Sequence, residues 1–499
     1  MTDMKLKVAT LAALAIAAAP LSPALAQDAA SNAQAYLDRI AALDDTIDAV
    51  IVTNPDAPAE AAAAEKAGLP LAGRTVLVKD NIETREWPTT AGSLALKDNA
   101  TKRDAPLIAR MRRAGGVVLG KTNLSEWANM RSNHSTSGWS AVGGLTRNPF
   151  ATDRTACGSS AGSGAAVAAQ FAWAAIGTET DGSVTCPSSI NGIVGLKPTV
   201  GLVSRTGVVP VSHSQDTPGP MARSVYDAAL LLNAIAGSDP ADPATADADK
   251  HVTDFTKGLA TYSLKGVRIG VMRKQIGNDK RVAALFQQAL NDLERAGAVP
   301  VYIDVDMPDD AHVKGFDEMT VLLYELREDL GKYLRGSPAD IKVRSLADLI
   351  AFDKAHAKEE MPWFGQELFE KAEQTTDKAA YETARANDVR ITGKEGIDKL
   401  LADNHVAFLL APSVGPAWTI DPVNGGHYNG TIGIGTLPAV SGYPHLTVPM
   451  GAVMGLPVGL SFVGAKWQDH ELLEAGAAYE RVRSGKLPVP SFERWKLAD

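Results

Sequence analysis

The sequence predicts an α/β protein built as one large domain, and three observations carry that expectation. Short apolar runs of strand character alternate with helical patterns along most of the chain. Ala and Gly lead the composition, hydrophobic residues make up 45% and aromatic residues 6%, which suits closely packed elements joined by tight turns. No repeat and no convincing linker divides the 499 residues, although length alone would allow two or three domains.

Residues 1–26 have the form of a signal peptide. Lys5 and Lys7 precede an apolar run over 8–19, and Ala24-Leu25-Ala26 offers a small-x-small cleavage site before Gln27. That run is too short to span a bilayer, and nothing later is long and apolar enough to do so. The expected domain therefore occupies 27–499, in the periplasm or secreted, with no membrane partner once the leader is gone.

Residues 32–43 carry apolar side chains at helical spacing and read as an opening helix. Thr75-Val76-Leu77-Val78 is a buried-strand run ending on Lys79-Asp80. A helical stretch over 105–114 leads into a strand over 116–120. From 143 to 219 the chain is dense in Gly, Ser, Thr and Pro, with small apolar pieces between. Strand, helix and strand patterns at 267–271, 281–296 and 299–303 form a βαβ-like unit. Residues 316–401 read as mostly helical, and strand character returns at 407–411, 445–448 and 458–463. The Asp-, Ala- and Pro-rich stretch 239–249 reads as a surface loop.

A net charge of −9 and the lack of a basic tract argue against nucleic acid as a partner. Nine histidines stand singly and no HExxH or CxxC spacing occurs, so no metal and no other cofactor is expected.

Three motifs compete for the chemistry. Gly115-Gly116-Val117-Val118-Leu119-Gly120-Lys121-Thr122 matches a phosphate-binding loop, but its interior is a strand pattern that cannot wrap a phosphate. Gly158-Ser159-Ser160-Ala161-Gly162 matches a nucleophile elbow with Ser160 as attacker, and His405, His427, His445 and His470 lie downstream. An elbow follows a buried apolar strand, whereas residues 152–156 are polar; an esterase of this type stands as the alternative. The third constellation is longer: a Gly/Ser loop at 157–163, a small-residue helix over 164–170, a second loop at 177–183, and the strand-terminal Lys79 upstream. Both loops lie between apolar elements, where hydroxyls need partners and a lysine without a carboxylate loses its charge.

These residues resemble the amidase signature family, whose pattern is roughly GGSSGGS followed by GTDTGGSIR. The 24 positions from Ser159 to Ser183 match the family spacing. Similar stretches are Val78-Lys79-Asp80-Asn81, Gly120-Lys121-Thr122-Asn123, Gly195-Leu196-Lys197-Pro198-Thr199 and Pro457-Val458-Gly459-Leu460. Within the family, Glu179-Thr180-Asp181-Gly182-Ser183, Gln215-Asp216-Thr217-Pro218-Gly219-Pro220 and Gly415-Pro416-Ala417-Trp418 resemble the bacterial peptide amidases, which remove the C-terminal amide from peptides.

The resemblance implies a large mixed twisted β-sheet flanked by helices in a single domain. It also implies an amidohydrolase that works through an acyl-enzyme. Ser183 is the implied nucleophile, Ser159, after a cis peptide bond, the proton relay, and neutral Lys79 the base. Backbone N–H groups of Thr180, Asp181, Gly182 and Ser183 are the implied oxyanion hole. A small-molecule or short-peptide amide is the implied substrate, either a C-terminal peptide amide or a more general aliphatic or aryl amide; substrate-binding residues and oligomeric state stay open.

Two departures stand out: Asp181 replaces a glycine, and Thr185 replaces the arginine that serves carboxylate-bearing substrates in the family. A neutral or amidated substrate is expected. Cys157 and Cys186 flank the two serines; free, small, buried thiols are expected, with a disulfide as the alternative.

Overall fold

The computed structural model describes residues 28–306, 315–423 and 425–496, and the expected leader lies outside them. Eleven strands form one mixed sheet: β1 Val50–Thr53, β2 Thr75–Lys79, β3 Val117–Thr122, β4 Ala174–Glu179, β5 Val194–Lys197, β6 Thr217–Ala222, β7 Arg268–Met272, β8 Val299–Ile303, β9 Phe408–Pro412, β10 His445–Val453 and β11 Leu456–Val463. Their order is β1-β3-β2-β4-β6-β5-β10-β11-β9-β7-β8. β2 pairs in parallel with both β3 and β4, while β4, β6, β5, β10, β11 and β9 are joined by antiparallel pairings.

Alternation along the strands divides the core between the two sheet faces. Val76, Val78, Ala174 and Ile176 enter one apolar cluster, packed under helices Val225–Ile235, Lys280–Arg295 and Asp469–Val482. Leu77, Val117, Leu119 and Ala175 enter a second, against helix Ala161–Ala168. Covered on both faces, the central strands carry short apolar runs whose polar residues cluster at their ends, which is why they read as continuous runs. Lys79 shares the face of Leu77 and so emerges beside helix Ala161–Ala168.

That helix is built from small residues, and all eight are buried. A Cβ on Gly162 would fall 2.3 Å from the Ala49 carbonyl oxygen, and one on Gly164 3.0 Å from that of Pro187. Side-chain size at these positions sets how closely the helix packs on the segments around Ala49, Asn123 and Pro187.

The βαβ unit is present: β7 and β8 pair in parallel from Arg268↔Val299 to Met272↔Ile303. The intervening helix Lys280–Arg295 buries Val282, Phe286, Ala289, Leu290 and Leu293 and is capped by the Asp279 carboxylate. The expected helical region runs from Glu318–Gly336 to Lys399–Asn404. Its Leu323, Leu326, Leu330 and Phe369 close a separate core with Trp127.

Some boundaries shift. The strand expected to end at Gly120 continues through Lys121 and Thr122, and the helix expected over 164–170 begins at Ala161, after Ser160. Most of the loop expected over 239–249 falls in a 3₁₀ segment, Pro243–Lys250, with the Asp242 carboxylate accepting from the Ala244 N–H.

Candidate active site

The end of β2, the 157–160 loop and the loop after β4 meet at one place. Lys79 is fully buried, and its Nζ lies 2.7 Å from Ser159 Oγ, 2.8 Å from Thr178 Oγ1 and 3.2 Å from the Thr178 carbonyl oxygen. Among the described residues no carboxylate comes within ion-pair distance of it. Burial pulls the Lys79 ammonium down to about 7, although the more distant Asp216 and Glu179 carboxylates pull it back up. When Lys79 is neutral, its two N–H groups have Thr178 oxygens to donate to, and its lone pair faces the Ser159 hydroxyl. Asn81 Nδ2 donates to the same Thr178 Oγ1 at 3.0 Å and holds that oxygen in place.

Ser159 follows a cis peptide bond, as the resemblance implies. Its carbonyl accepts from the Ser125 N–H at 2.9 Å. Gly158 has no room for a side chain, since a Cβ there would meet Ser125 Oγ at 2.1 Å. Ser183 lies on the neighbouring loop, and its carbonyl accepts from the Ser160 N–H at 3.2 Å. The Ser183 hydroxyl makes no hydrogen bond to Ser159 among the described residues. Such contacts commonly tighten only when substrate is present.

The loop from Thr180 to Ser183 is held at its ends and open in its middle. Glu179 Oε2 accepts from the N–H groups of Val184 (2.7 Å) and Thr185 (2.8 Å) and from the Thr185 hydroxyl (3.1 Å). Thr180 Oγ1 donates to Asp216 Oδ1 at 2.6 Å, and Asp216 Oδ2 accepts from the Val211 and Ser212 N–H groups. Burial pushes the Asp216 carboxyl up to about 6. Among the described residues, the backbone N–H groups of Thr180, Asp181, Gly182 and Ser183 donate to nothing. Gly182 has φ +77°, a left-handed conformation that glycine adopts without strain in this tight loop.

The two departures acquire a structural account. The Thr185 side chain is turned to Glu179, so position 185 braces the loop and presents no cation. Asp181 lines a cavity of about 560 Å³ together with Thr436, Trp418, Tyr428 and Ile432. Sequence reasoning left the cavity walls unassigned, because they come from remote segments without motif spacing; it also gave no role to Thr178 and Glu179, which sit inside the recognised loop.

The free-thiol expectation is corrected: Cys157 and Cys186 form a disulfide, with Cα atoms 6.0 Å apart. The Ser160–Ser183 backbone bond draws the two loops together, and both cysteines pack into one apolar patch with Ile190 and Val414.

The competing motifs dissolve for local reasons. Ser160 is fully buried; its Oγ donates to the Thr178 carbonyl at 3.1 Å and accepts from the Thr178 N–H at 3.2 Å, stitching the loop to β4. The segment before it, Ala151–Thr155, pairs with Arg147–Asn148 and bridges to Thr419 at Arg154, apart from the main sheet. Lys121 of the phosphate-loop pattern is buried against Asp80 Oδ1 at 2.9 Å. One cluster of metal-ligating types occurs among the described residues, His213 with Glu325 and Asp329. Both ring nitrogens already face carboxylates, at 2.8 Å to Asp329 and 3.2 Å to Glu325, and the Asp329 hydrogen bond raises the imidazolium. An ion-paired histidine accounts for that cluster.

The family model described as Amidase matches residues 32–473. The chain belongs to the amidase signature family. A probable amidase of Arabidopsis thaliana is 37% identical over 475 residues, covering 92% of this chain and 87% of the relative. Among solved structures, the native peptide amidase of Stenotrophomonas maltophilia matches with TM-score 0.86 and 48% identity over 93% of this chain and 96% of that one. A peptide amidase in complex with the competitive inhibitor chymostatin matches with TM-score 0.87 and 49% identity over the same shares. The amidase thus has the single-domain, eleven-stranded mixed sheet of these peptide amidases, as the resemblance implied.

Proposed function

We propose that the amidase hydrolyses C-terminal peptide amides through an acyl-enzyme formed on Ser183. The carrying observation is Lys79: fully buried, 2.7 Å from Ser159 Oγ and, among the described residues, without a carboxylate in ion-pair contact. In this reading Ser183 Oγ attacks the amide carbon while its proton passes to Ser159, whose own proton passes to neutral Lys79. The oxyanion meets the unpaired N–H groups of 180–183, in place before the reaction begins. The relay then returns the proton to the departing nitrogen, and water releases the acyl group by the same route. Ester hydrolysis follows from the same acyl chemistry as a side activity.

Peptide amides are favoured by the likeness to peptide amidases and by the position-185 threonine, which leaves the cavity without the cation that a free carboxylate would need. We place the protein outside the cytoplasm, on the basis of the 1–26 leader pattern together with the disulfide. Ammonia release from a panel of peptide amides, free amino acid amides and simple acyl amides tests the substrate. Release from peptide amides well above the others is the expected result; release only from simple acyl amides overturns the peptide reading. Amino-terminal sequencing of the periplasmic protein, expected to begin at Gln27, tests the placement.

A further inference from the structure

Among the described residues, the cavity lined by Gly182 and Thr185 carries one carboxylate, Asp181, and the proposed mechanism gives its side chain no task. Asp181 stands where the family pattern has glycine. Its Oδ2 accepts from Thr436 Oγ1 at 3.0 Å, and its Oδ1 makes no hydrogen bond among the described residues. Gly435 leaves space there, since even an added Cβ would lie 3.7 Å from Oδ1. Lys, Arg and His are absent from the described residues lining this cavity. The ionisable groups felt by or feeling Asp181 are Glu179, Lys197 and Tyr428, and none forms an ion pair with it among the described residues.

The same residue offers its N–H in the loop that receives the carbonyl oxygen. A carbonyl oxygen held by that N–H would bring the neighbouring atoms of the substrate towards the carboxylate of the same residue, which lines the cavity. An acceptor that is charged, half-paired and partly desolvated favours an N–H donor and penalises a carboxylate.

Resting on the amidase reading, we infer that Asp181 is a specificity-determining residue for α-amino amides. It accepts a hydrogen bond from the N–H on the carbon next to the scissile carbonyl, which is the main-chain N–H of the C-terminal residue in a peptide amide. Amides lacking that donor, such as those of proline or N-methyl residues, are disfavoured. Sites built around a substrate donor reject analogues without it far more strongly than apolar pockets reject a missing methylene.

The test crosses two substrates with two enzymes: acetyl-alanine amide and acetyl-N-methylalanine amide, with the wild type and Asp181→Asn. Asparagine keeps a partner for Thr436 and removes the charge. The wild type is expected to prefer the N–H substrate by roughly ten-fold or more in kcat/KM, carried mainly by KM. In the variant the preference falls towards unity. Dividing the wild-type preference by that of the variant cancels the steric effect of the methyl group and any general loss of rate. Burial and Glu179 push the Asp181 carboxyl up to about 6, so the wild-type preference also weakens below that pH. If Asp181→Asn is inactive, calorimetric affinities of both amides for Ser183→Ala and for Asp181→Asn/Ser183→Ala read the same ratio. An unchanged preference in the variant, or none in the wild type, overturns the assignment while leaving the amidase reading intact. Failure of the wild type to hydrolyse either amide overturns both.

Discussion

Lys79 and Lys121 lie on adjacent parallel strands, β2 and β3, and both side chains are buried. The register pairs Val78 with Lys121 and Lys79 with Thr122, so the two lysines leave opposite faces of the sheet. Lys121 meets Asp80 Oδ1 at 2.9 Å and the Ile82 carbonyl at 2.8 Å, a closed ion pair. Lys79 meets a serine, a threonine and a carbonyl, and burial brings it down to about 7. One position of register thus separates a structural cation from a candidate base. What distinguishes them is the presence of a carboxylate, since both are equally removed from water.

Substitutions at the two sites should diverge. Ser183→Ala has the largest expected effect, a loss of roughly 10⁴-fold or more in kcat for peptide amides with the fold retained. Steady-state rates with circular dichroism check both parts. Ser160→Ala keeps its nucleophile on this account; if it, rather than Ser183→Ala, loses activity together with covalent labelling, the elbow reading replaces this one.

Lys79→Ala is expected to lower kcat by roughly 10²–10⁴-fold. In the wild type, kcat/KM should rise as pH increases through about 7, because only deprotonated Lys79 accepts a proton. A flat profile across that range would remove Lys79 from the relay.

Stability should respond in the opposite sense. Lys121→Met leaves Asp80 buried without its cation and is expected to cost roughly 3–5 kcal/mol in denaturant unfolding. Lys79→Met strands no ion-paired carboxylate and should change stability much less. Comparable losses for both would break the contrast between the two lysines. Reduction of the Cys157–Cys186 bridge is expected to cost roughly 2–4 kcal/mol, measured by the unfolding midpoint with and without reductant. Alkylation of denatured, unreduced protein should add no mass; two added alkyl groups would mean free thiols.

The central sheet was legible because its strands are covered on both faces, and the βαβ unit because its helix keeps an apolar stripe. Ser159 and Ser183 were singled out by the family resemblance of the block around them, and Lys79 by that of the separate Val78-Lys79-Asp80-Asn81 stretch. Trp418 was noted only for its resemblance, and Tyr428 and Thr436 went unnoticed, because the cavity wall folds in from far along the chain. The disulfide was misjudged for a similar reason. Its geometry depends on how closely two loops approach, which is fixed by long-range contacts such as the Ser160–Ser183 backbone hydrogen bond that no local pattern reveals.

The central claim is that Ser183, served by Ser159 and neutral Lys79, becomes acylated. Labelling the protein with a fluorophosphonate and mapping the adduct by peptide mass spectrometry tests it most directly. A single adduct on Ser183, formed faster as pH rises through about 7, is the predicted result. An adduct on Ser160, or labelling of Ser183→Ala at the wild-type rate, would contradict it.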